Sequence, residues 1–268
     1  MSAMAPDFSL AGRVIVITGG GGILGTRMTG ALARAGASVA VVEPSLSKAQ
    51  LACDGLEDAA GKALPFAADI TNKASVEAAL ADIEAVFGPV DGLVNNAATK
   101  SDNFFEPFET FPVEDWKQVM DVNLTGAFIC AQVFGRGMAE RGRGAIVNTL
   151  SIYGVVAPDQ RIYEGSMYEG RAINTPAIYS ASKAGLWGLT KYLSAYWGAN
   201  NVRVNAISPG GVFSGQNETF VQRYSARVPM GRMAEKDEMS GAVVFLLSDA
   251  ASFVTGQNIV VDGGLSVW

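Results

Sequence analysis

Residues 14–43 read VIVITGGGGILGTRMTGALARAGASVAVVE. Two short apolar runs, at 14–18 and 38–42, enclose a glycine-rich turn and an alanine-rich segment with helical spacing at 26–35. Continuous apolar strands joined by a helix are typical of a parallel sheet that is covered on both faces. The stretch therefore predicts a strand, a turn, a helix and a second strand in succession.

The same alternation continues to the end of the chain, and no Pro- or Ser-rich linker interrupts it. Further strands are predicted at 63–67, 92–95, 145–149, 202–207 and 257–261, and further helices at 75–87, 116–139, 177–198 and 238–247. Strands alternating with helices predict an α/β fold with a doubly wound parallel sheet, Rossmann-like, and helices on both faces. We interpret residues 1–268 as a single domain.

The composition excludes several kinds of chemistry and of partner. The 268 residues include no His, so a Ser-His-Asp triad, a Cys-His pair and a histidine metal ligand are ruled out. Two cysteines are too few for a four-ligand zinc site, and we expect no metal. A net charge of −6 disfavours nucleic acid as a partner. The first nine residues lack a signal-peptide pattern, and no apolar run approaches the length of a membrane helix, so we expect a cytoplasmic protein with no membrane partner.

The glycine turn indicates a dinucleotide site. Glycines in a turn between a strand and a helix allow close approach of the backbone to a pyrophosphate, and the helix N-terminus supplies amide donors. Four consecutive glycines, 19–22, are also compatible with a flexible turn of no function. Glu43, at the end of the second strand, favours the first interpretation, because a carboxylate there can bind both ribose hydroxyls of NAD and repel the 2′-phosphate of NADP. We therefore predict NAD rather than NADP.

Tyr179 and Lys183 form a second candidate site. They lie four residues apart in a predicted helix, so the lysine ammonium can approach the phenol. A neighbouring cation lowers the pKa of a tyrosine toward working pH and makes it a usable general acid or base. Taken alone, such a pair is more often an ordinary surface contact.

These motifs together resemble the single-domain type of the short-chain dehydrogenase/reductase family over nearly the whole chain. The matching pieces, in chain order, are the glycine turn, Asp69-Ile70, Asn95-Asn96-Ala97, Asn123, Ser151, Tyr179 with Lys183, Pro209-Gly210 and the segment 261–264. The resemblance implies a dehydrogenase that exchanges a hydride with a nicotinamide dinucleotide and a small-molecule substrate.

Catalytic roles follow from the resemblance residue by residue. Tyr179 is expected to exchange the proton with the substrate oxygen and Ser151 to hydrogen-bond that oxygen. Lys183 is expected to bind the nicotinamide ribose and to tune Tyr179, and Asn123 to hold a water that links the site to solvent. The cofactor-binding residues implied are Gly19, Gly21, Gly22, Leu24, Gly25, Glu43, Asp69, Ile70, Asn95, Asn96, Ala97, Tyr179, Lys183, Pro209, Val212 and Ser214.

The chain departs from the family's pattern at three places. Ile23 stands where the middle glycine of the turn is usual, and Ala98 follows Asn95-Asn96-Ala97 where glycine is usual. Tyr179 follows Ser151 about twice as far along the chain as in most members. The extra residues fall in an irregular segment, 155–176, which we call the insertion and predict to be a substrate-binding loop. A second irregular segment, 209–227, is predicted to be a substrate lid.

Polar and aromatic side chains in both segments suggest the substrate. Arg161 and Arg171 could bind a carboxylate or phosphate and aromatic faces could bind a sugar ring, although these side chains could equally form a solvated loop surface. We hypothesise that a polyol, sugar or sugar acid, free or nucleotide-linked, is oxidised to a ketone. The alternatives are a 3-oxoacyl thioester reductase and a dinucleotide-binding regulator without catalysis. The apolar tail, 256–268, resembles the family's subunit interface, which implies a homotetramer.

Overall fold

The computed structural model describes residues 7–168 and 170–267, with Tyr168 described by its backbone alone. The strands are β1 (Val14–Thr18), β2 (Ser38–Glu43), β3 (Lys62–Ala67), β4 (Gly92–Asn95), β5 (Gly144–Thr149), β6 (Met167–Tyr168), β7 (Arg171–Ala172), β8 (Val202–Pro209) and β9 (Asn258–Val261). The helices are α1 (Ile23–Arg34), α2 (Leu46–Cys53), α3 (Lys73–Phe87), α4 (Val113–Met120), α5 (Ala127–Arg141), α6 (Ala177–Trp197), α7 (Glu218–Ser225) and α8 (Ser240–Leu247).

Seven strands form one parallel sheet in the order β3-β2-β1-β4-β5-β8-β9. Side chains alternate between its faces, so that Val16 of β1 packs toward α3 and α5, and Ile15 and Ile17 pack toward α1, α2 and α8. The predicted doubly wound sheet with helices on both faces is confirmed. The strand order reverses between β1 and β4, which opens a crevice at the carboxyl ends of these strands.

Two helices were not predicted from the sequence. Helix α2 begins after Ser45, whose hydroxyl accepts a hydrogen bond from the backbone N–H of Lys48, and it buries only the small residues Ala49, Ala52 and Cys53. Helix α7 lies inside the segment predicted to be irregular, 209–227. Asn217 caps it by accepting from the N–H of Phe220, and Phe220 and Tyr224 are its buried face. In both cases the capping residue was the available sequence signal.

The helix predicted at 116–139 is in fact α4 and α5, joined by a turn of π-helix at Asp121–Gly126. A π-turn adds one residue to the helical repeat, which moves the side chains after it around the helix axis, and such turns often occur at functional sites. Asn123 lies within it and is buried. No helix within the described residues is long and apolar enough to cross a membrane.

Candidate active site

A cleft of about 520 Å³ runs along the carboxyl ends of the strands, across the reversal of strand order. Its walls are the glycine turn, the ends of β2, β3, β4 and β5, part of α6 and the segment that follows β8. Tyr179 and Lys183 line one end and Glu43 lines the other. The fold therefore brings both sites predicted from the sequence into one elongated crevice.

The glycine turn packs too closely for side chains. Gly19 has φ +65°, and a Cβ there would lie 2.6 Å from the Cα of Ala97. A Cβ on Gly25 would lie 2.2 Å from the carbonyl oxygen of Gly19. No described side chain caps α1 after Gly22, so the first amides of that helix stay available at the cleft. A dinucleotide pyrophosphate fits this uncapped, glycine-lined terminus.

Glu43 is fixed at the adenosine end expected for such a ligand. Its side chain is 4 % exposed, and Oε1 accepts from the backbone N–H of Gly21 at 2.9 Å. Gly21 therefore acts on the carboxylate, and the prediction that it contacts the cofactor finds no support in its position. Oε2 lies 3.3 Å from Nζ of Lys48, a residue that the sequence did not predict at this site.

Asp69 and Ile70 also line the cleft, as predicted. The Asp69 carboxylate accepts from the N–H and the hydroxyl of Thr71, at 2.9 and 2.7 Å, which holds the turn after β3. Ile70 is 7 % exposed and packs beside the π-turn, where a Cβ on Gly126 would lie 2.7 Å from its Cδ1. An apolar side chain and a fixed carboxylate at this edge suit an adenine ring.

The three residues predicted after β4 divide into two roles. Asn96 and Ala97 line the cleft, and their backbone N–H groups both donate to Oγ1 of Thr18 at 3.2 Å. Asn95 points into the protein, where Nδ2 donates to Oδ1 of Asn148 at 2.9 Å. Asn95 therefore ties β4 to β5, and its cofactor contact stays a prediction, without support from its position.

Ser151 and Tyr179 meet at the other end of the cleft. Ser151 follows β5 and is buried, and its Oγ accepts from the N–H of Tyr153 at 3.2 Å. Tyr179 lies in the first turn of α6 with its ring 6.4 Å from that of Phe104. The Ser151 hydroxyl hydrogen-bonds Tyr179 and lowers its pKa, but burial is the larger effect, so the pKa of Tyr179 is raised above its usual value.

Lys183 lies one helical turn beyond Tyr179 and is 3 % exposed. Its Nζ donates to the carbonyl oxygen of Thr149 at 2.8 Å and lies 6.0 Å from the centre of the Tyr179 ring. Burial lowers the pKa of Lys183 to about 8. Burial of the phenol is the larger effect on the pKa of Tyr179, and the ammonium donates to the Thr149 carbonyl, so the tuning of Tyr179 by Lys183 stays a prediction.

Asn123 is buried and hydrogen-bonded within the protein. Its Oδ1 accepts from the N–H of Thr99 at 2.9 Å, and its Nδ2 lies 3.4 Å from Oγ of Ser182. The side chain thus joins the π-turn to the loop after β4 and to α6. The role as a water-holding residue stays a prediction.

The segment after β8 brings two further predicted residues to the cleft and directs a third away. Pro209 and Val212 line it. Ser214 is exposed, and its N–H donates to Oε1 of Gln216 at 2.8 Å within its own loop. Its predicted cofactor contact stays a prediction, without support from its position.

The insertion and helix α7 are bound to each other. Tyr163 stacks on Phe220 with ring centres 5.3 Å apart, and the hydroxyl of Ser166 lies 3.4 Å from Oδ1 of Asn217. Arg227 forms an ion pair with Asp159. These contacts join the two segments that the sequence predicted to be substrate-binding.

Arg161 and Arg171 are directed at the protein itself. Arg161 pairs with Asp159 at 2.8 Å while its side chain is 83 % exposed, and Arg171 donates to the carbonyl oxygen of Asp102 at 2.8 Å. Arg161 and Arg227, which both contact Asp159, hold the pKa of its carboxyl well below its usual range. The hypothesis that Arg161 and Arg171 bind an acidic substrate therefore has no support in their contacts. Glu169 and the side chain of Tyr168 lie outside the described residues, as does Trp268 of the tail.

A second cavity, of about 960 Å³, lies between the insertion and the segment 106–116. Tyr163 and Thr175, whose hydroxyls are 2.6 Å apart, are among its lining residues, as are Phe108, Phe111 and Trp116. The only charged residues described in the lining are Glu106 and Glu164. Sequence reasoning missed this wall, although the aromatic density of residues 104–116 was its signal.

No group of His, Cys, Asp and Glu suited to holding a metal ion occurs among residues 7–168 and 170–267. Cys53 and Cys130 are both buried and free, and burial raises their pKa values to about 11 and about 12. Neither thiol is therefore a reactive nucleophile at neutral pH.

Comparison with known proteins places this site among dehydrogenases. A family model described as enoyl-(acyl carrier protein) reductase matches residues 22–266. D-threitol dehydrogenase of Mycolicibacterium smegmatis is 36 % identical over 266 residues, which covers 97 % of this chain and 95 % of that protein.

Two solved structures share the fold closely. A gluconate 5-dehydrogenase from Burkholderia cenocepacia, in complex with NADP and tartrate, superposes with a TM-score of 0.86 at 33 % identity and covers 98 % of both chains. A short chain dehydrogenase from Leptospira borgpetersenii with bound NAD+ has a TM-score of 0.85 at 33 % identity, over 100 % of this chain and 98 % of that one.

Proposed function

Because the chain belongs to the short-chain dehydrogenase/reductase family, we propose that it oxidises a secondary alcohol of a neutral polyol or sugar to the ketone, reversibly, with NAD. The chain is an oxidoreductase that acts on CH–OH donors with a nicotinamide dinucleotide. The proposal rests on one cleft that is lined by Tyr179, Lys183 and Glu43, in which Tyr179 is hydrogen-bonded by Ser151.

Tyr179 is the proton carrier in the proposed mechanism. In oxidation its phenolate takes the hydroxyl proton of the substrate, and in reduction its phenol returns a proton to the carbonyl oxygen. The Ser151 hydroxyl, which already hydrogen-bonds Tyr179, donates to the same substrate oxygen as negative charge develops there. The bound nicotinamide supplies the acceptor or donor of the hydride. The Nζ of Lys183 lies 6.0 Å from the centre of the Tyr179 ring, and its charge is proposed to stabilise the phenolate.

The glycine turn, Asp69, Ile70, Asn96, Ala97, Pro209 and Val212 are proposed to hold the dinucleotide, with Glu43 at the adenosine ribose. The buried carboxylate of Glu43 retains lone pairs for ribose hydroxyls besides its bond from Gly21, and it repels a 2′-phosphate. This supports NAD over NADP as the preferred cofactor.

Three observations support a neutral alcohol as the substrate. The arginines of the insertion are engaged by Asp159 and by a backbone carbonyl. The charged residues described around the larger cavity are two glutamates, which disfavour an anionic ligand. The relative from Mycolicibacterium smegmatis is named for D-threitol, a neutral polyol.

A substrate panel tests the proposal. Neutral polyols, sugar acids and 3-oxoacyl thioesters are assayed with NAD(H) and NADP(H), and a neutral polyol with NAD is expected to give the highest kcat/KM. Arg161→Ala and Arg171→Ala are expected to leave KM for that polyol within about twofold of wild type, because surface ion pairs contribute little. A sugar acid as the best substrate, with a raised KM in either arginine variant, would contradict the neutral-substrate proposal.

A thioester reductase is the second candidate, favoured by the aromatic wall of the larger cavity and by the description of the matching family model. The acyl thioester arm of the same panel, measured with NADPH, separates it from polyol oxidation. Highest activity there would replace the first proposal with this one.

Self-association is proposed from exposed apolar side chains. Tyr192 and Tyr196 of α6 are each 63 % exposed and stack on one another, and Phe128 of α5 beside them is 47 % exposed. Val267 in the tail is 80 % exposed. Patches of this kind mark protein interfaces. Sedimentation velocity is expected to give the mass of four chains, and a single-chain mass would refute assembly.

The two buried thiols, Cys53 and Cys130, support a cytoplasmic location.

A further inference from the structure

A basic residue stands beside the carboxylate proposed to select the cofactor. Nζ of Lys48 lies 3.3 Å from Oε2 of Glu43, in the same cleft wall. The Glu43 side chain is 4 % exposed, whereas that of Lys48 is 54 % exposed. A ligand at this end of the cleft therefore meets the ammonium at the surface and the carboxylate beneath it.

The fold fixes Lys48 where it is. Its backbone N–H is bound by the Ser45 hydroxyl in the first turn of α2. Its carbonyl oxygen abuts the glycine turn, since a Cβ on Gly21 would lie 2.6 Å away. Gly21 in turn donates to Glu43, so the turn, the carboxylate and the lysine form one packed unit. Backbone packing thus places the main chain of Lys48 beside the glycine turn, from where its side chain reaches the Glu43 carboxylate.

Glu43 and Lys48 together present no net charge to a 2′-phosphate. A lone Glu43 would repel the phosphate dianion, and an ammonium within hydrogen-bonding reach of that carboxylate offsets the repulsion. Lys48 can also leave the carboxylate for the phosphate, because its side chain is 54 % exposed to solvent. NAD carries no charge at this position, so its binding is indifferent to the lysine cation.

We propose that Lys48 is a specificity-determining residue that allows this chain to bind NADP, more weakly than NAD, despite Glu43. The inference rests on the proposed function and refines its cofactor preference. Glu43 makes NAD the preferred cofactor, and Lys48 limits how much more tightly NAD binds than NADP.

The test is a calorimetric titration of the protein with NAD+ and with NADP+ in the absence of substrate, which measures the Kd for each. In Lys48→Met the Kd for NADP+ is expected to rise about fivefold to tenfold, the effect of one cation at a solvated site, while the Kd for NAD+ changes by less than about twofold. Lys48→Gln supplies a second neutral side chain. Lys62→Met is the matched control. Lys62 is exposed and begins β3, at the amino ends of the strands, whereas the cleft lies at their carboxyl ends.

The salt dependence supplies a second readout. In wild type, where the two charges offset each other, the Kd values for NADP+ and NAD+ are expected to change with NaCl to a similar degree. In Lys48→Met the unopposed repulsion by Glu43 is screened by salt, so the Kd for NADP+ is expected to fall relative to that for NAD+ as NaCl rises. An unchanged Kd for NADP+ in Lys48→Met would overturn the proposal. A Kd for NAD+ that rises as much as that for NADP+ would also overturn it, because Lys48 would then only hold Glu43 in place. NAD+ binding without turnover of any alcohol would refute the proposed substrate and leave the Lys48 result valid.

Discussion

Tyr179→Phe is expected to lower kcat for alcohol oxidation by about 10³-fold, since a positioned general acid or base contributes about 10²–10⁴-fold. Phenylalanine keeps the ring that packs on Phe104 and removes only the hydroxyl that hydrogen-bonds Ser151. The Kd for NAD+ is expected to change little. Stopped assays at high enzyme concentration measure the residual rate.

The matched control is Tyr192→Phe, which removes a hydroxyl from an exposed tyrosine of the same helix and should leave kcat unchanged. The pH profile gives a second check. Because burial raises the pKa of Tyr179, oxidation, which needs the phenolate, is expected to accelerate as pH rises toward that pKa. Reduction needs the phenol and is expected to slow above it. A Tyr179→Phe protein with more than a tenth of wild-type turnover would rule out Tyr179 as the proton carrier.

Lys183→Met is expected to lower kcat by about 10²-fold and to make the protein more stable at pH 7. The activity falls because the phenolate loses its nearby cation. The stability rises because the buried ammonium, whose pKa is lowered to about 8, costs up to about 3 kcal/mol in the folded state at one pKa unit per 1.36 kcal/mol. Loss of the hydrogen bond to the Thr149 carbonyl offsets about 1 kcal/mol of that gain.

The sign of the pH dependence of the free energy of unfolding identifies Lys183 as the source of the stability change. Between about pH 8 and its ordinary pKa of 10.5, Lys183 is deprotonated in the folded chain and protonated in the unfolded one. The unfolded state then binds more protons, so the free energy of unfolding contributed by this group rises with pH across that window. Urea unfolding at pH 7, 8 and 9 is expected to show this rise in wild type and in the control Lys191→Met, an exposed lysine of the same helix, and to lack it in Lys183→Met. A Lys183→Met protein less stable than wild type at pH 7 would contradict the assignment.

The sequence predicted the parallel sheet well because its strands are continuous apolar runs bounded by turns, as at Val14–Thr18 and Gly92–Asn95. It failed at α2 because that helix buries only alanines and a cysteine, which leaves no apolar period to detect. It also failed at the π-turn of Asp121–Gly126, because one added residue is invisible to a pattern with a 3.6-residue period.

Motif order likewise predicted which strand ends meet in the cleft, since parallel strands place their carboxyl ends at one edge. The order of the motifs did not predict which way each side chain points. Asn95 and Asn96 are neighbours in one motif, yet alternation along β4 sends the first into the protein and the second toward the cleft. Lys48 and the aromatic wall at Phe108 and Trp116 depend on how α2 and the insertion pack, which no local spacing encodes.

The stacking of Tyr163 on Phe220 and the ion pair of Asp159 with Arg227 have a consequence for changing the substrate range of this protein. A loop grafted in place of the insertion would arrive without partners for α7, and a lid taken from a relative with a shorter loop would lack the surface on which it rests. The insertion and the segment 209–227 must therefore be exchanged together as one unit. Substitutions in one of them should be accompanied by compensating substitutions in the other.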